Sequence, residues 1–135
     1  MILAIDDDAG RYEHFGRLLG GRAEVVVACC PACVAELLPK AAAVLLDYDL
    51  DSGGVCNRCS ASYDTWREYA KAIHYVPAVA ARGLPVVVTS SSSSENIRAL
   101  CAKLRAYDVR FRQHRATDPD PEVRWIGELW VMGVL

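Results

Sequence analysis

Five short apolar runs alternate along the chain with segments in which apolar residues recur at helical spacing. The runs lie at residues 1–5, 24–28, 42–46, 85–89 and 109–112. Apolar runs of this length are typical of strands that are buried on both faces of a sheet. Parallel strands need crossover connections, and right-handed crossovers place helices on both faces. The alternation therefore predicts an α/β fold, a five-stranded doubly wound parallel sheet.

The size and charge of the chain exclude several other classes of protein. A length of 135 residues with 53% hydrophobic and 24% charged residues predicts one globular domain over residues 1–135. The formal net charge of −2 gives no general attraction to nucleic acid or to anionic lipid. No apolar run approaches the ~20 residues that span a bilayer, and no secretory signal is evident, so we expect a cytoplasmic protein without a membrane partner.

Local signals predict where the helices begin and end. A helix is expected over residues 9–19, a second from Pro31, and a third over residues 63–82 with a break near Pro77. Ser92 and Glu95 match a capping box at the start of a fourth helix. Asp120 followed by Pro121 predicts the start of the last helix, with Asp120 as N-cap.

Polar side chains follow three of the predicted strands at the points where these strands end. Asp6 and Asp7 follow the first strand, Asp47 and Asp49 the third, and Thr89 and Ser90 the fourth. In open α/β sheets ligands bind at this edge, so we expect these groups to share one pocket. Crowded carboxylates need a hard cation, and oxygen ligands suit Mg²⁺ or Mn²⁺. The alternative is that the aspartates only cap helices and end strands.

A run of five serines after the fourth strand suggests an anion-binding loop. Free backbone N–H groups at a helix start attract phosphate, so Ser91 and Ser92 are candidate phosphate ligands beside Ser90. Arg98, one turn further on, and Arg11, next to the acidic residues, are candidate cationic partners of a phosphate. The alternative for the serines is a helix cap within an ordinary loop.

Four of the six cysteines form two CxxC pairs. Cys30 and Cys33 follow the second predicted strand, and Cys56 and Cys59 follow the third. Two such pairs are typical of a structural zinc site with four thiolate ligands. A redox dithiol at Cys30 and Cys33 and a set of independent thiols stay open as alternatives. Cys101 falls on an apolar helical stripe and is expected in the core.

The positions of the acidic and hydroxyl residues resemble the receiver superfamily of phosphorelay proteins over nearly the whole chain. In this comparison Asp6 and Asp7 correspond to the acidic pair, Asp47 to the phospho-accepting aspartate, and Thr89 to the hydroxyl residue after the fourth strand. The resemblance implies a flavodoxin-like receiver topology with strand order 2-1-3-4-5. The lysine that this family carries after its fifth strand has no counterpart here.

A closer resemblance is to the cyclic-phosphate-processing receiver domains. It is carried by the segment 2–7 followed by Arg11 and Phe15, by 46–50, and by 86–90. Tyr48 and Thr89 stand where that family has histidines. The resemblance implies hydrolysis or opening of cyclic phosphates of nucleotide derivatives. His14, His74 and His114 are the candidates to replace these acid-base groups. The alternative is that these scattered histidines are ordinary surface residues.

These observations predict metal-dependent phosphate chemistry on a small phosphorylated molecule or nucleotide derivative. Asp47 or Asp49 would be the nucleophile or base, and the alternatives are a phospho-accepting signalling receiver and a non-catalytic module held by zinc. Trp125 and Trp130 cannot both face one core, so the last helix is expected to expose an apolar strip. Receiver relatives often pair through this region, which makes the strip a candidate homodimer surface. No nucleic-acid site is expected.

Overall fold

A computed structural model, which describes residues 1–113 and 120–135, contains the predicted parallel sheet. Its strand order is β2-β1-β3-β4-β5, which confirms the flavodoxin-like order 2-1-3-4-5. The strands are β1 (Ile2–Ile5), β2 (Val25–Ala28), β3 (Ala43–Leu46), β4 (Val86–Val88) and β5 (Phe111–Gln113). The α-helices are α1 (Glu13–Leu19), α2 (Pro31–Leu37), α3 (Val76–Ala81), α4 (Ser94–Ala106) and α5 (Pro121–Val131).

The register of the three central strands brings their carboxyl ends level. Ile5 of β1 pairs with Leu46 of β3, and Leu46 pairs with Val88 of β4. All residues of these strands are buried, because helices cover both faces of the sheet. The residue that follows each strand therefore lies at the same edge, next to the residues that follow its neighbours.

Two apolar layers sandwich the sheet. On one face, Phe15 and Leu19 of α1 pack with Trp125 and Leu129 of α5. On the other face, α2, α3 and α4 contribute a larger cluster that includes Cys101, as predicted. Trp125 is buried, whereas Trp130 is 61% exposed. The prediction that the two tryptophans face different surroundings is thus confirmed.

The expected helix over residues 63–82 is wrong in most of its length. Three short 3₁₀ helices at Tyr63–Thr65, Arg67–Tyr69 and Ala72–Tyr75 precede α3. Pro77 does not interrupt a helix, because it lies in the first turn of α3, where no backbone N–H is needed. A segment that packs in short turns against the sheet edge still shows apolar spacing close to that of a helix.

Two capping predictions also need correction. The N-cap of α4 is Ser93, whose hydroxyl accepts from the N–H of Asn96, and not Ser92. Asp120 does precede Pro121 at the start of α5, but its backbone is left-handed and its side chain makes no capping hydrogen bond. Within residues 1–113 and 120–135, no helix has the length and apolar character needed to cross a bilayer.

Candidate functional site

Three carboxylates meet at the carboxyl edge of β1 and β3. One oxygen each of Asp6, Asp7 and Asp47 lies within 4.8 Å of the other two. The strand register explains this, since the N–H of Asp47 donates to the carbonyl of Ile5 (3.1 Å). Asp6 and Asp47 are buried and Asp7 is half-buried. This group of three side chains, called the acidic cluster below, could hold a metal ion.

Asp6 is the most deeply held member of the acidic cluster. Its Oδ2 accepts from the Tyr12 hydroxyl at 2.6 Å and from Arg11 Nη1 at 2.8 Å. Its Oδ1 accepts from the N–H of Asp8 at 3.0 Å. The Tyr12 hydroxyl also lies 3.2 Å from Thr89 Oγ1. Asp6 therefore connects the start of the first helical segment to the end of β4.

Arg11, predicted as a phosphate ligand, extends its guanidinium into the acidic cluster. Nη1 lies 2.8 Å from Asp6 and 3.6 Å from Asp47, and Nη2 donates to the carbonyl of Thr89. The guanidinium also lies 5.8 Å from the ring centre of Trp125. The side chain is 28% exposed. One positive charge thus offsets part of the negative charge of three carboxylates.

The electrostatics of the cluster favour protonation or a bound cation. Burial and the neighbouring charge of Asp47 raise the pKa of Asp6 to about 7, although Tyr12 and Arg11 act in the opposite direction. Burial also raises the pKa of Asp47, against hydrogen bonds from the Tyr48 N–H and from Ser90 and against the charge of Arg11. A second positive charge at this position would favour the ionised form of both carboxylates.

Thr89 and Ser90 lie at the predicted edge. Both are buried, and Ser90 acts to lower the pKa of Asp47, against the larger effect of burial. Asp49 lies apart from the acidic cluster, in contact with other groups. Its Oδ1 is 2.5 Å from Lys71 Nζ, and its Oδ2 accepts from Ser92 Oγ at 3.1 Å. Asp49 therefore holds Lys71 and Ser92, one of the five serines after β4, close to the end of β3.

The remaining predicted site residues make no described contact with the acidic cluster. Ser91 and Arg98 are exposed, and no hydrogen bond or ion pair among the described residues joins either one to the acidic cluster. His14 and His74 are exposed as well. His114 lies outside the described residues. The structure thus brings no described histidine to the carboxylates.

The four cysteines of the two CxxC pairs come together, as the spacing predicts. The sulfur atoms of Cys30, Cys33, Cys56 and Cys59 all lie within 4.8 Å of one another, and those of Cys30 and Cys59 are 3.6 Å apart. The first pair lies at the start of α2, and the loop after β3 folds back to supply the second. This group, called the cysteine cluster below, could also hold a metal ion.

The thiols of the cysteine cluster differ in their ease of ionisation. Burial acts to raise the pKa of Cys56. Nearby backbone N–H groups together outweigh burial and lower this pKa to about 5; they belong to Cys29, Arg58, Cys59 and Cys30. Burial raises the pKa of Cys30 and of Cys33. Cys29, a fifth thiol, lies beside the cluster, and burial raises its pKa to about 12.

Four residues of the site were not found from the sequence. Tyr12 has the spacing of a core residue, and its hydroxyl gives no signal of its role. Ser52 donates its N–H (2.8 Å) and its hydroxyl to Asp7 Oδ2, and Asn57 Nδ2 donates to the carbonyl of Asp6 at 3.0 Å. Lys71, the partner of Asp49, comes from the segment that was expected to be a regular helix. A loop's contacts leave no periodic pattern that would reveal them.

Comparisons with known proteins identify no relative. No family model, no curated protein and no solved structure matches this chain.

Proposed function

We propose that this chain is a receiver-like domain that performs divalent-cation-dependent chemistry on a small phosphorylated molecule. The observation that carries this proposal is the meeting of three carboxylates from two strand ends beside the hydroxyls of Thr89 and Ser90. The preferred reaction is hydrolysis of a cyclic phosphate or another phosphoester. Membership of the receiver superfamily and a cytoplasmic location are parts of the same proposal.

The acidic cluster is suited to Mg²⁺ or Mn²⁺. Its ligands are oxygen atoms, which hard divalent cations prefer, and the partly exposed Asp7 leaves room for bound water. Arg11 alone cannot balance the charge of Asp6, Asp7 and Asp47 when all three are ionised. A bound Mg²⁺ would polarise the phosphoryl oxygens of a ligand.

Asp47 is the best candidate for the reacting carboxylate. It lies beside Arg11 and Ser90, whereas Asp49 is held by Lys71 and Ser92. With a cyclic phosphate, Asp47 takes a proton from water, and the water oxygen forms a bond to phosphorus. One P–O bond of the ring breaks, and the departing alcohol oxygen takes a proton from solvent. Hydrogen-bond donors close to Asp47 would bind the phosphoryl oxygens.

A phospho-accepting role is the second candidate, and the position of Arg11 favours it. Its guanidinium lies 3.6 Å from Asp47, where a cation would stabilise a phosphorylated carboxylate. In that reaction a carboxylate oxygen of Asp47 forms a bond to the phosphorus of a small donor. The bond from phosphorus to the donor's leaving group breaks, and the leaving group keeps the electron pair.

One experiment separates these functions. The protein is incubated with Mg²⁺ and nucleoside cyclic phosphates, followed by ³¹P NMR, and in parallel with acetyl phosphate, followed by intact mass. Turnover that is lost in Asp47→Asn and kept in Asp49→Asn supports hydrolysis. A covalent adduct with the same dependence on Asp47 supports phospho-acceptance. If neither occurs and Mg²⁺ leaves the thermal stability unchanged, the phosphate proposal is wrong and a binding module is left.

The cysteine cluster is proposed to bind a structural zinc ion. Zn–S bonds of about 2.3 Å place the sulfur atoms of a tetrahedral site about 3.8 Å apart, and the Cys30 and Cys59 sulfur atoms are 3.6 Å apart. The four cysteines would fill all four positions of the zinc ion and leave none open for water or a substrate, as in a structural zinc site. Metal analysis of the purified protein should give about one equivalent of zinc. A metal-free protein with reduced thiols would contradict this assignment.

A further inference from the structure

We infer that the zinc-binding loop positions the acidic cluster, with Asn57 as the positioning residue that connects them. This inference rests on the proposed function, because it concerns the geometry of the proposed cation ligands. The juxtaposition that carries it lies within one turn, Cys56-Asn57-Arg58-Cys59. Its two cysteines belong to the cysteine cluster, and its Asn57 side chain contacts the strand that carries Asp6 and Asp7.

The contacts of Asn57 lead in two directions. Its side-chain Nδ2 donates to the carbonyl of Asp6 at 3.0 Å, at the peptide bond that joins Asp6 to Asp7. Its backbone is bonded directly to Cys56, whose sulfur belongs to the cysteine cluster. A change in the position of the turn is therefore transmitted to the backbone from which two of the three carboxylates extend.

A second contact comes from the same loop. Ser52 donates both its N–H, at 2.8 Å, and its hydroxyl to Asp7 Oδ2. These bonds attach the Asp7 carboxylate directly to the loop. Both hydrogen bonds that Asp7 Oδ2 accepts among the described residues therefore come from Ser52 of this loop.

The loop has few other attachments that could hold it in place. Val55 and Ser62 form an isolated bridge, and Cys56 pairs with Ala61 through a backbone hydrogen bond of 2.9 Å, so the segment closes mainly on itself. Most of residues 52–60 are exposed, and Cys56 is the buried member. Segments with little buried apolar surface open at low free energy unless a crosslink holds them. Zinc at the cysteine cluster would be that crosslink.

Reciprocal coupling between the two metal sites follows. If zinc fixes the loop in the conformation that orients Asp7 and the Asp6 backbone, zinc raises the affinity of the acidic cluster for a divalent cation. By linkage the divalent cation raises the affinity for zinc by the same factor. A factor of about ten lies within the usual range for coupling between two sites.

The test compares two substitutions in the same turn. Asn57→Ala removes the contact with Asp6, whereas Arg58→Ala removes a side chain that faces Glu36 and Cys33 and leaves Asn57 in place. The zinc content of each variant is measured by metal analysis, and Mn²⁺ affinity by calorimetry. We expect one zinc equivalent in both variants, an affinity for Mn²⁺ that falls about tenfold in Asn57→Ala, and an unchanged affinity in Arg58→Ala.

The dependence of Mn²⁺ affinity on zinc distinguishes positioning by Asn57 from a general structural effect of Asn57→Ala. In wild type, removal of zinc by a chelator should lower the Mn²⁺ affinity, and in Asn57→Ala the remaining effect of zinc should be smaller. If zinc-free protein unfolds, the comparison of the two zinc-loaded variants still decides the question. Equal Mn²⁺ affinities in wild type and Asn57→Ala would overturn the inference.

A failure of the proposed function can be recognised separately. If zinc-loaded wild type binds no Mn²⁺ at all, the cation site is wrong, and NMR then tests the positioning alone. The amide proton of Ser52, which donates to Asp7, should shift toward its random-coil position in Asn57→Ala and keep its position in Arg58→Ala. An unchanged Ser52 resonance in Asn57→Ala would show that the turn does not hold the carboxylates.

Discussion

Removal of the guanidinium of Arg11 should destabilise the protein in a way that depends on pH. Arg11 contacts the fully buried Asp6 at 2.8 Å and Asp47 at 3.6 Å. Removing one partner of a buried ion pair costs about 3–5 kcal/mol, and the 28% exposure of Arg11 lowers that figure through solvent screening. We therefore expect Arg11→Gln to lower the free energy of unfolding by about 2–3 kcal/mol at pH 9 without divalent cation.

The sign of the pH dependence follows from Asp6. Its pKa in the folded protein is raised to about 7 from 3.8, so folding favours its protonated form, and the stability that this proton contributes is lost as pH rises toward the folded pKa. Loss of Arg11 raises that pKa further. Below pH 6 Asp6 is neutral in wild type and variant alike, so the loss in Arg11→Gln should be about 1 kcal/mol smaller at pH 5.5, the value of roughly one pKa unit.

Urea denaturation followed by tryptophan fluorescence measures both quantities. Arg67→Gln is the matched control, because Arg67 pairs with Asp64 and both side chains are about 70% exposed. Its effect on stability should be much smaller than that of Arg11→Gln at either pH. Saturating Mg²⁺ should restore part of the stability of Arg11→Gln, since a cation can replace the missing charge. A loss equal to that of the control, or a larger loss at pH 5.5 than at pH 9, would show that Arg11 does not stabilise the ionised form of Asp6.

Three further predictions concern the acidic cluster, the cysteine cluster and the core. Asp47→Asn should weaken Mg²⁺ binding more than about tenfold in calorimetry. It should also stabilise the cation-free protein at pH 8, because burial raises the pKa of Asp47 and so disfavours its charge. A lower stability of the cation-free variant would contradict this. Cys56→Ser should lose zinc and lower the melting temperature, while Cys101→Ser, outside the cluster, should keep one zinc equivalent by metal analysis. Phe15→Ala should cost about 3–5 kcal/mol in urea denaturation, since the side chain is fully buried against the sheet; a cost below about 1 kcal/mol would contradict the packing.

The sequence determined the sheet well because burial on both faces leaves a clear mark. The runs that form β1, β3 and β4 are almost wholly apolar. Each is followed by a polar residue at the carboxyl edge of the sheet. The position of Asp6, Asp47 and Thr89 follows from those ends once the strand order is known. The cysteine cluster was predictable for a similar reason, because two CxxC pairs on the same edge can meet.

The contacts made by irregular segments were not predictable. Arg11 was expected next to the acidic residues, but within a regular helix over residues 9–19. It lies in a 3₁₀ turn, Ala9–Tyr12, and its direct ion pair with Asp6 was not predicted. Ser52 and Asn57 act from a loop whose conformation depends on distant cysteines. The helix expected over residues 63–82 was wrong because apolar spacing does not distinguish a helix from successive 3₁₀ turns that pack on the same surface.

The central claim is that the acidic cluster binds a divalent cation. A crystal structure of zinc-loaded protein grown with Mn²⁺, with anomalous diffraction at the manganese edge, tests it most directly. We expect one manganese peak coordinated by oxygens of Asp6, Asp7 and Asp47, and no such peak in Asp47→Asn. Well-ordered carboxylates with no manganese between them, at a concentration that saturates ordinary Mn²⁺ sites, would contradict it.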